Sequence, residues 1–341
     1  MIENTNFTER SIRSLLKKKY GISVISIKKL SKGSANIFLI NNKYILKEFQ
    51  SIYTREEIKK ETAIINCLKK NNILVPRYIK TISGKYYFVH SKRIVILQEF
   101  IKGQTKDRNK GDMGQVLECA REYGKLVLAL ETLKYKLPEQ NFIANFLDEK
   151  IDESIVKFSA LIKDTSGKLK ERIIKDLSDK IDMLNKIKGK YNIEDITKTT
   201  LKNSHGDYNV LQFIYCGNKI KAIIDFATAC KMPIIWEIIR AYSLIDKDCD
   251  GGSLNIEHLI LYIKEVCKYV KLNKYDLKYM VIVYLTQLLN SDFGYKQYIE
   301  DNSKKDLINY AFFRTNLCRF LFKNEQEITK RLLIEAFWYL A

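Results

Sequence analysis

The stretch SHGDYNVLQFI at residues 204–214, followed by AIIDF at residues 222–226, decides the expected fold and chemistry of this chain. Its HGD turn, a side-chain amide five residues further on, and a second Asp ending an apolar strand are the parts of a phosphoryl-transfer site. Such a site needs a carboxylate that orients the attacking hydroxyl, and oxygen ligands for magnesium on the nucleotide phosphates. Asp207 suits the first task. Gln212 and Asp225 suit the second, and a hairpin would bring these two hard ligands together.

Taken in this order, the motifs resemble those of the aminoglycoside phosphotransferase family, small-molecule kinases related in fold to protein kinases. The family signature is HGDxxxxN, an apolar pair, an IDF or IDW strand, then Pro and an acidic helix, matched here by PIIWE at residues 233–237. Gln212 departs from the signature, because relatives usually carry Asn there. The resemblance implies that His205 orients the catalytic loop without acid–base chemistry, and that Glu237 braces it. Chance strings in ordinary turns, and charge stabilisation of a helix start by Glu237, are the alternatives.

The N-terminal part predicts a nucleotide-binding sheet. Residues 27–40 alternate around Gly33, and YILKEF at residues 44–49 follows as another β-prone run. A turn from Gly33 to Asn36 resembles the GxxN turn of the family and is expected over phosphates. The resemblance also implies that Lys47 holds the phosphates and that Glu61, on a helix over residues 54–70, pairs with it. A solvated strand lysine and a surface helix carboxylate are the alternatives.

A second apolar strand, IVILQEFIKG at residues 94–103, resembles the last strand and the hinge of the family's N-terminal lobe. A purine edge needs one donor and one acceptor there, and the resemblance assigns them to the amide of Ile101 and the carbonyl of Glu99. An ordinary buried strand leaving a sheet is compatible with the same pattern.

The fold expected from these patterns is α+β: a bilobal, protein-kinase-like fold with a small β-rich N-lobe and a large, mainly helical C-lobe. The pattern changes near Gly103, so we place the lobes at residues 1–103 and 104–341. The N-lobe has a short helix at Glu9–Tyr20 and a long one at residues 54–70. Helical periodicity in the C-lobe covers residues 116–133, 143–161, 169–187, 257–269, 274–290, 304–322 and 327–339.

Composition limits the class of protein. The 341 residues are 46% hydrophobic, and no apolar run approaches the ~20 residues of a membrane span. The seven cysteines are scattered, which is typical of reduced thiols, so we expect a cytoplasmic protein that does not bind membranes. The formal charge of +19 comes from basic residues spread along the chain. We therefore expect no nucleic-acid partner, and a neutral or anionic substrate in preference to a polycation.

One acidic stretch competes with this interpretation. Residues 246–257, DKDCDGGSLNIE, match the DxDxDGx5E template of a calcium loop, with Asp246 first and Glu257 last. Ser253 stands where such loops carry an aliphatic residue, and the chain has no second copy. The default interpretation is a solvated acidic turn, with calcium binding as the alternative.

Together the motifs predict an enzyme that moves the γ-phosphoryl group of ATP, with magnesium, to a hydroxyl of a small molecule. The alternative is a catalytically weak or inactive kinase-like nucleotide-binding protein with a structural or spore-coat-associated role, which Gln212 favours. The acceptor, the choice between ATP and GTP, and the oligomeric state stay open at this point.

Overall fold

The computed structural model describes residues 3–30 and 35–336, and the chain divides into two compact units. The first comprises Met1–Lys106, Leu128–Leu137 and Gln212–Ala229, and the second comprises Asp107–Val127, Pro138–Leu211 and Cys230–Ala341. The first segment of the first unit ends three residues beyond the lobe boundary expected from the sequence. The first unit also contains a hairpin from the region that this boundary assigns to the C-lobe.

The first unit is built on a five-stranded antiparallel sheet in the order β1-β2-β3-β5-β4. Its strands are β1 Ile27–Leu30, β2 Asn36–Ile40, β3 Tyr44–Glu48, β4 Tyr87–His90 and β5 Arg93–Glu99. Alternate residues such as Phe38, Leu46 and Val95 are buried on one face, against Ile12 and Leu16 of helix α1, Glu9–Tyr20. The α1 bounds match the prediction, because Thr8 forms a capping box with Ser11.

Helix α2, Arg55–Lys70, completes this sheet unit and begins at a second capping box, between Thr54 and Glu57. Its predicted apolar face is buried, and Glu61 is buried with it. The hairpin of β7, Phe213–Cys216, and β8, Lys219–Ile223, belongs to the same unit.

A pair of backbone hydrogen bonds explains why the hairpin groups with the N-terminal residues. Gln104 and Tyr215 each donate an N–H to the other's carbonyl, at 2.9 and 2.8 Å. The approach requires glycine at position 103, since a Cβ there would lie 2.3 Å from the Tyr215 carbonyl oxygen.

The second unit is mainly helical and contains one short antiparallel pair, β6 Leu201–Ser204 with β9 Cys230–Pro233. Its helices are α3 Met113–Leu130, whose last turn belongs to the first unit, α4 Asp148–Asp164, α5 Lys170–Ile187, α6 Ile193–Ile196, α7 Ile234–Ile245, α8 Ile256–Cys267, α9 Lys274–Asn290, α10 Tyr295–Glu300 and α11 Lys305–Glu335. Helices α7 and α9 are buried on nearly all sides, so they form the centre of the unit. The strands and helices confirm the α+β class.

The prediction of two helices at residues 304–322 and 327–339 is wrong for the described residues. A single helix, α11, runs from Lys305 to Glu335, and the end of the second predicted helix lies outside the described residues. The supposed break, KNEQ at residues 323–326, contains neither Gly nor Pro, and its residues all tolerate a helix. Across the described residues, no helix combines the length and apolarity needed to span a membrane.

Candidate active site

The HGD turn follows directly from strand β6, and Gly206 and His205 contribute to its conformation. Gly206 has φ 79°, a conformation that glycine adopts without strain. His205 is fully buried, and its Nδ1 accepts a hydrogen bond from the Asp207 N–H at 3.3 Å. Its ring also meets the edge of Tyr208, with centroids 6.0 Å apart. A histidine held in this way can orient the loop.

Glu237, near the start of α7, braces the same turn from below. It has no exposed surface, and its Oε1 accepts from the Tyr208 N–H at 2.7 Å. Its Oε2 accepts from the Ser204 hydroxyl at 2.5 Å and from the Gly206 N–H at 3.3 Å. Tyr123 of α3 adds a further hydroxyl contact to Ser204, at 2.9 Å. Glu237 therefore holds the turn through three hydrogen bonds, and these contacts go beyond charge stabilisation of the start of α7.

Asp207 is the most exposed member of the loop's polar network, with a third of its side chain accessible. Its Oδ1 accepts from Arg240 Nη2 at 2.5 Å and from Asn209 Nδ2 at 3.2 Å. Asn209 also donates to the Asp207 main-chain oxygen, at 2.7 Å. The carboxylate is therefore held from two sides, and Arg240, which sequence reasoning missed, is one of its holders.

Gln212 and Asp225 lie at the same end of the β7–β8 hairpin. Phe213 pairs with Ile223, and the Gln212 carbonyl accepts from the Ile224 N–H at 2.9 Å. Gln212 thus lies across the strands from Ile224, the residue before Asp225. The hairpin thus juxtaposes the two predicted metal ligands along the backbone.

The backbone at Asp225 is unusual for a residue with a side chain. Its φ of 66° is in the left-handed region, which costs a non-glycine residue about 1–2 kcal/mol. Its carboxylate is exposed and forms no hydrogen bond or ion pair within the described residues. Backbone strain concentrates at functional sites, and an exposed carboxylate beside an amide oxygen is a donor set that suits a hard divalent cation. The residues present therefore fit magnesium.

The predicted ion pair between Lys47 and Glu61 is absent from the described residues. Glu61 accepts hydrogen bonds from the hydroxyls of Tyr53 and, at 2.7 Å, Tyr78. The Lys47 ammonium lies 4.6 Å from the ring centroid of Phe49, which stacks on Tyr53 at 3.9 Å. The reason is local: two tyrosine hydroxyls satisfy the buried carboxylate, and an aromatic ring holds the cation.

The pKa values of the same two tyrosines reflect the negative charge of Glu61. Burial raises the pKa of Tyr53, and the negative charge of Glu61 and, more weakly, of Asp225 raises it further. The pKa of Tyr78 is raised by burial and by the same two carboxylates. Both hydroxyls therefore remain protonated donors to Glu61 at any physiological pH.

The other residues predicted to contact the nucleotide differ in how their groups are bonded in the structure. Asn36 is buried, and its amide donates to Glu48 at 3.1 Å and to the Glu3 carbonyl at 3.0 Å, so its side chain anchors the strand. Gly33 lies outside the described residues. Glu99 is the last residue of β5, and the Ile101 N–H that follows has no acceptor within the described part of the chain. An open N–H after a strand is compatible with a purine edge.

The calcium-loop template at residues 246–257 folds differently from such a loop. Asp246 is buried and accepts from the Asp248 N–H and from His258 Nδ1, at 2.9 and 2.8 Å. Asp250 pairs instead with Lys110, at 3.4 Å. Asp246, Asp248 and His258 place their ligand atoms within 4.8 Å of one another, but the hydrogen bonds satisfy Asp246 as a helix cap. These hydrogen bonds favour an acidic turn capped by Asp246 over a calcium-binding loop.

A comparison with protein-family models settles the family. The model of the phosphotransferase enzyme family matches residues 26–255, more than half of the chain. The chain belongs to this family. The match spans the N-terminal sheet, the HGD loop and the IDF strand, and it confirms the resemblance drawn from the sequence. No curated protein sequence matches this chain significantly.

Solved structures share the fold at low sequence identity. A spectinomycin phosphotransferase in complex with ADP and spectinomycin has a TM-score of 0.66 at 16% identity, covering 94% of this chain and 100% of that one. An aminoglycoside phosphotransferase from Alicyclobacillus acidocaldarius gives 0.62 at 13%, covering 96% and 98%. A choline/ethanolamine kinase family protein from Mesorhizobium loti gives 0.58 at 12%, covering 94% and 98%. These similarities confirm the kinase-like fold.

Proposed function

We propose that this protein is an ATP-dependent phosphotransferase that moves the γ-phosphoryl group to a hydroxyl of a small molecule. The proposal rests mainly on how the HGD loop holds the Asp207 carboxylate. Its backbone is fixed by Glu237, its carboxylate is held by Arg240 and Asn209, and Asp207 keeps a third of its side chain accessible. Membership of the phosphotransferase enzyme family supports this assignment.

On the acceptor side, Asp207 orients the attacking hydroxyl and accepts its proton as the bond to phosphorus forms. Phosphoryl transfer depends on positioning and electrostatics more than on covalent chemistry, so a rigid carboxylate is the main requirement. His205 contributes by fixing the loop, as its hydrogen bond to the Asp207 N–H allows.

On the nucleotide side, we assign Lys47 to the non-transferred phosphates and Gln212 and Asp225 to magnesium. Magnesium, when bound, neutralises charge on the β- and γ-phosphates. The adenine edge is assigned to the Ile101 N–H and the Glu99 carbonyl, while Gly33 and Asn36 shape the turn over the phosphates. Complexes of similar folds with ADP and with AMP-PNP support nucleotide binding by this fold.

The acceptor is proposed to be neutral or anionic near its reacting hydroxyl. Relatives in structure include proteins named for spectinomycin, amicoumacin and choline or ethanolamine, so the fold accepts varied substrates. Here the net charge is +19, and the Asp207 carboxylate already carries a guanidinium partner. Both features oppose a polycation. The free state of all seven cysteines supports a reducing compartment such as the cytoplasm.

The test is phosphate transfer from γ-labelled ATP, with magnesium, to a panel of sugars, amino alcohols, hydroxy acids and aminoglycosides, using the wild-type protein and Asp207→Asn. We expect a labelled product with at least one acceptor, and about 10²–10⁴-fold slower transfer with Asp207→Asn. Equal turnover by the two proteins on a verified acceptor would refute the role of Asp207.

A second candidate function, nucleotide binding with little or no transfer, is favoured by two observations. Gln212 replaces the usual Asn, and Lys47 and Glu61 each contact an aromatic residue without forming the predicted ion pair. This candidate predicts nucleotide binding without transfer to any acceptor in the panel. It also predicts that Gln212→Asn strengthens the dependence of nucleotide affinity on magnesium.

A further inference from the structure

We propose that Arg240 is a positioning residue for the reaction: it fixes the orientation of the Asp207 carboxylate that receives the acceptor hydroxyl. This inference rests on the proposed function. Its starting point is the contact of 2.5 Å between Arg240 Nη2 and Asp207 Oδ1, between a side chain 15% exposed and one 33% exposed. The arginine therefore lies under the carboxylate and leaves part of it open to solvent.

Helix α7 contacts the catalytic loop at two levels. Glu237 accepts two N–H groups and the Ser204 hydroxyl, so it fixes the path of the loop. Arg240, three residues later and on the same helix face, donates to the Asp207 side chain. Backbone and carboxylate are thus set by one rigid element, which suits a site that must be pre-organised.

Asn209 completes the arrangement from the other side. Its Nδ2 donates to Asp207 Oδ1 at 3.2 Å, and its Oδ1 accepts from the Leu211 N–H at 2.9 Å. Two donors on the same carboxylate oxygen restrict rotation of the carboxylate about its last bond. Asn209 lies on the loop itself, whereas Arg240 is anchored in a buried helix. Arg240 is therefore the more rigid of the two.

The contact between Arg240 and Asp207 lacks the geometry expected of an ion pair that serves only to stabilise the fold. Arginine and carboxylate commonly form two parallel hydrogen bonds, but the contact between Arg240 and Asp207 has one. Nη1 of Arg240 is buried with no acceptor among the described residues, and the guanidinium packs 5.2 Å from the Trp236 ring. A buried N–H without an acceptor is costly. The fold keeps this cost while Arg240 contacts Asp207 Oδ1.

Charge supports the same role. Burial alone would lower the pKa of Arg240, but the neighbouring Asp207 carboxylate raises it, so the guanidinium stays charged at every accessible pH. The orienting contact therefore persists across the pH range in which an enzyme works, because neither a tautomer nor a proton loss interrupts it.

The test compares steady-state ADP formation from magnesium ATP, with the best acceptor found or with water, in the wild type, Arg240→Gln and Arg240→Lys. The matched control is Arg319→Gln, which breaks a partly exposed ion pair to Asp176 in the same unit. We expect Arg240→Gln to lower kcat roughly 10- to 100-fold with the KM for ATP within about twofold, since orientation acts on the chemical step. Arg240→Lys should recover part of kcat. Arg319→Gln should lower Tm and leave kcat unchanged.

A wild-type kcat in Arg240→Gln would overturn the proposal, as would a loss that follows the folded fraction in all variants. A crystal structure of Arg240→Gln gives an answer that does not need activity: the Asp207 carboxylate should leave its wild-type orientation. An unchanged orientation, held by Asn209 alone, would overturn the proposal. A wild-type protein that transfers phosphate to no acceptor and hydrolyses no ATP would instead refute the proposed function.

Discussion

The charged groups assigned to the acceptor and those assigned to the nucleotide are held in contrasting ways. In the second unit, the Asp207 carboxylate has a guanidinium, an amide and a braced backbone around it. In the first unit, Lys47 lies on an aromatic ring, and Asp225 forms no hydrogen bond or ion pair within the described residues. The Asp207 carboxylate has hydrogen-bonding partners in the protein itself, whereas Lys47 has only an aromatic contact and Asp225 has neither a hydrogen bond nor an ion pair among the described residues.

The difference indicates which part of the reaction the fold builds in advance. A carboxylate that must orient a neutral hydroxyl benefits from rigid protein partners, because the hydroxyl brings no charge to order it. Groups that receive a highly charged nucleotide and its metal can remain apart until the ligand brings the opposing charges. We infer that the nucleotide completes its own site, whereas the catalytic loop is complete beforehand.

The largest effect is expected from Asp207→Asn. The substitution keeps the shape and removes the carboxylate, so transfer should fall by about 10²–10⁴-fold. Nucleotide affinity, measured by calorimetry with magnesium AMP-PNP, should stay within about twofold. A comparable loss of nucleotide affinity would show that the catalytic loop and the nucleotide groups are not distinct in the way described here.

Glu237→Ala tests the rigidity of the loop through stability. The change leaves the Ser204 hydroxyl and two loop N–H groups without their buried acceptor, and a buried donor left unsatisfied costs about 1–3 kcal/mol. Urea unfolding should show a loss of this size. The control is Glu257→Ala, an exposed glutamate on α8, which should change the unfolding free energy by less than about 0.5 kcal/mol. Similar values for both variants would contradict the brace.

The metal ligands should respond in a graded manner. Gln212→Ala and Asp225→Asn should each weaken magnesium-dependent nucleotide binding roughly tenfold or more, because magnesium needs near-complete coordination. Gln212→Asn should keep most of the affinity, since the amide oxygen survives. Magnesium titrations of AMP-PNP affinity compare the three variants with the wild type. An unchanged magnesium dependence in Gln212→Ala would remove this residue from the site.

The smallest effect is expected from Tyr53→Phe. The ring can still stack on Phe49, but Glu61 loses one of its two hydroxyl donors and becomes more available to Lys47. Nucleotide affinity should rise about two- to fivefold, in line with one hydrogen bond of about 0.5–1 kcal/mol. Tyr135→Phe is the control, since this tyrosine donates to the exposed Glu56 of the same helix. Equal behaviour of the two variants would end the idea that Tyr53 restrains Glu61.

Sequence reasoning succeeded where the signal is local. Capping residues and apolar periodicity gave the α1 bounds and the buried face of α2, and the order of the HGD and IDF motifs gave the fold and the family. The pairing of strands β7 and β8 followed from a two-strand pattern. These features depend on residues close together in the chain.

Sequence reasoning failed where the contacting residues are far apart in the chain or belong to no recognisable motif. Nothing in the sequence distinguishes Arg240 from the other basic residues, and its role appears only when α7 packs under the loop. Tyr78 is seventeen residues from the glutamate that it satisfies, so the separation of Lys47 from Glu61 had no local signal. A polar stretch between two periodic segments predicts a break in α11, but the stretch tolerates a helix and the break is absent.

A crystal structure with magnesium and AMP-PNP tests the central claim most directly. We expect the Lys47 ammonium to leave the Phe49 ring for phosphate oxygens, and Gln212 and Asp225 both to bind magnesium, at about 2.1 Å. The contacts of Arg240 and Glu237 with the catalytic loop should be unchanged. Lys47 still on Phe49, with no metal at Asp225, or a catalytic loop that rearranges when the nucleotide binds, would contradict it.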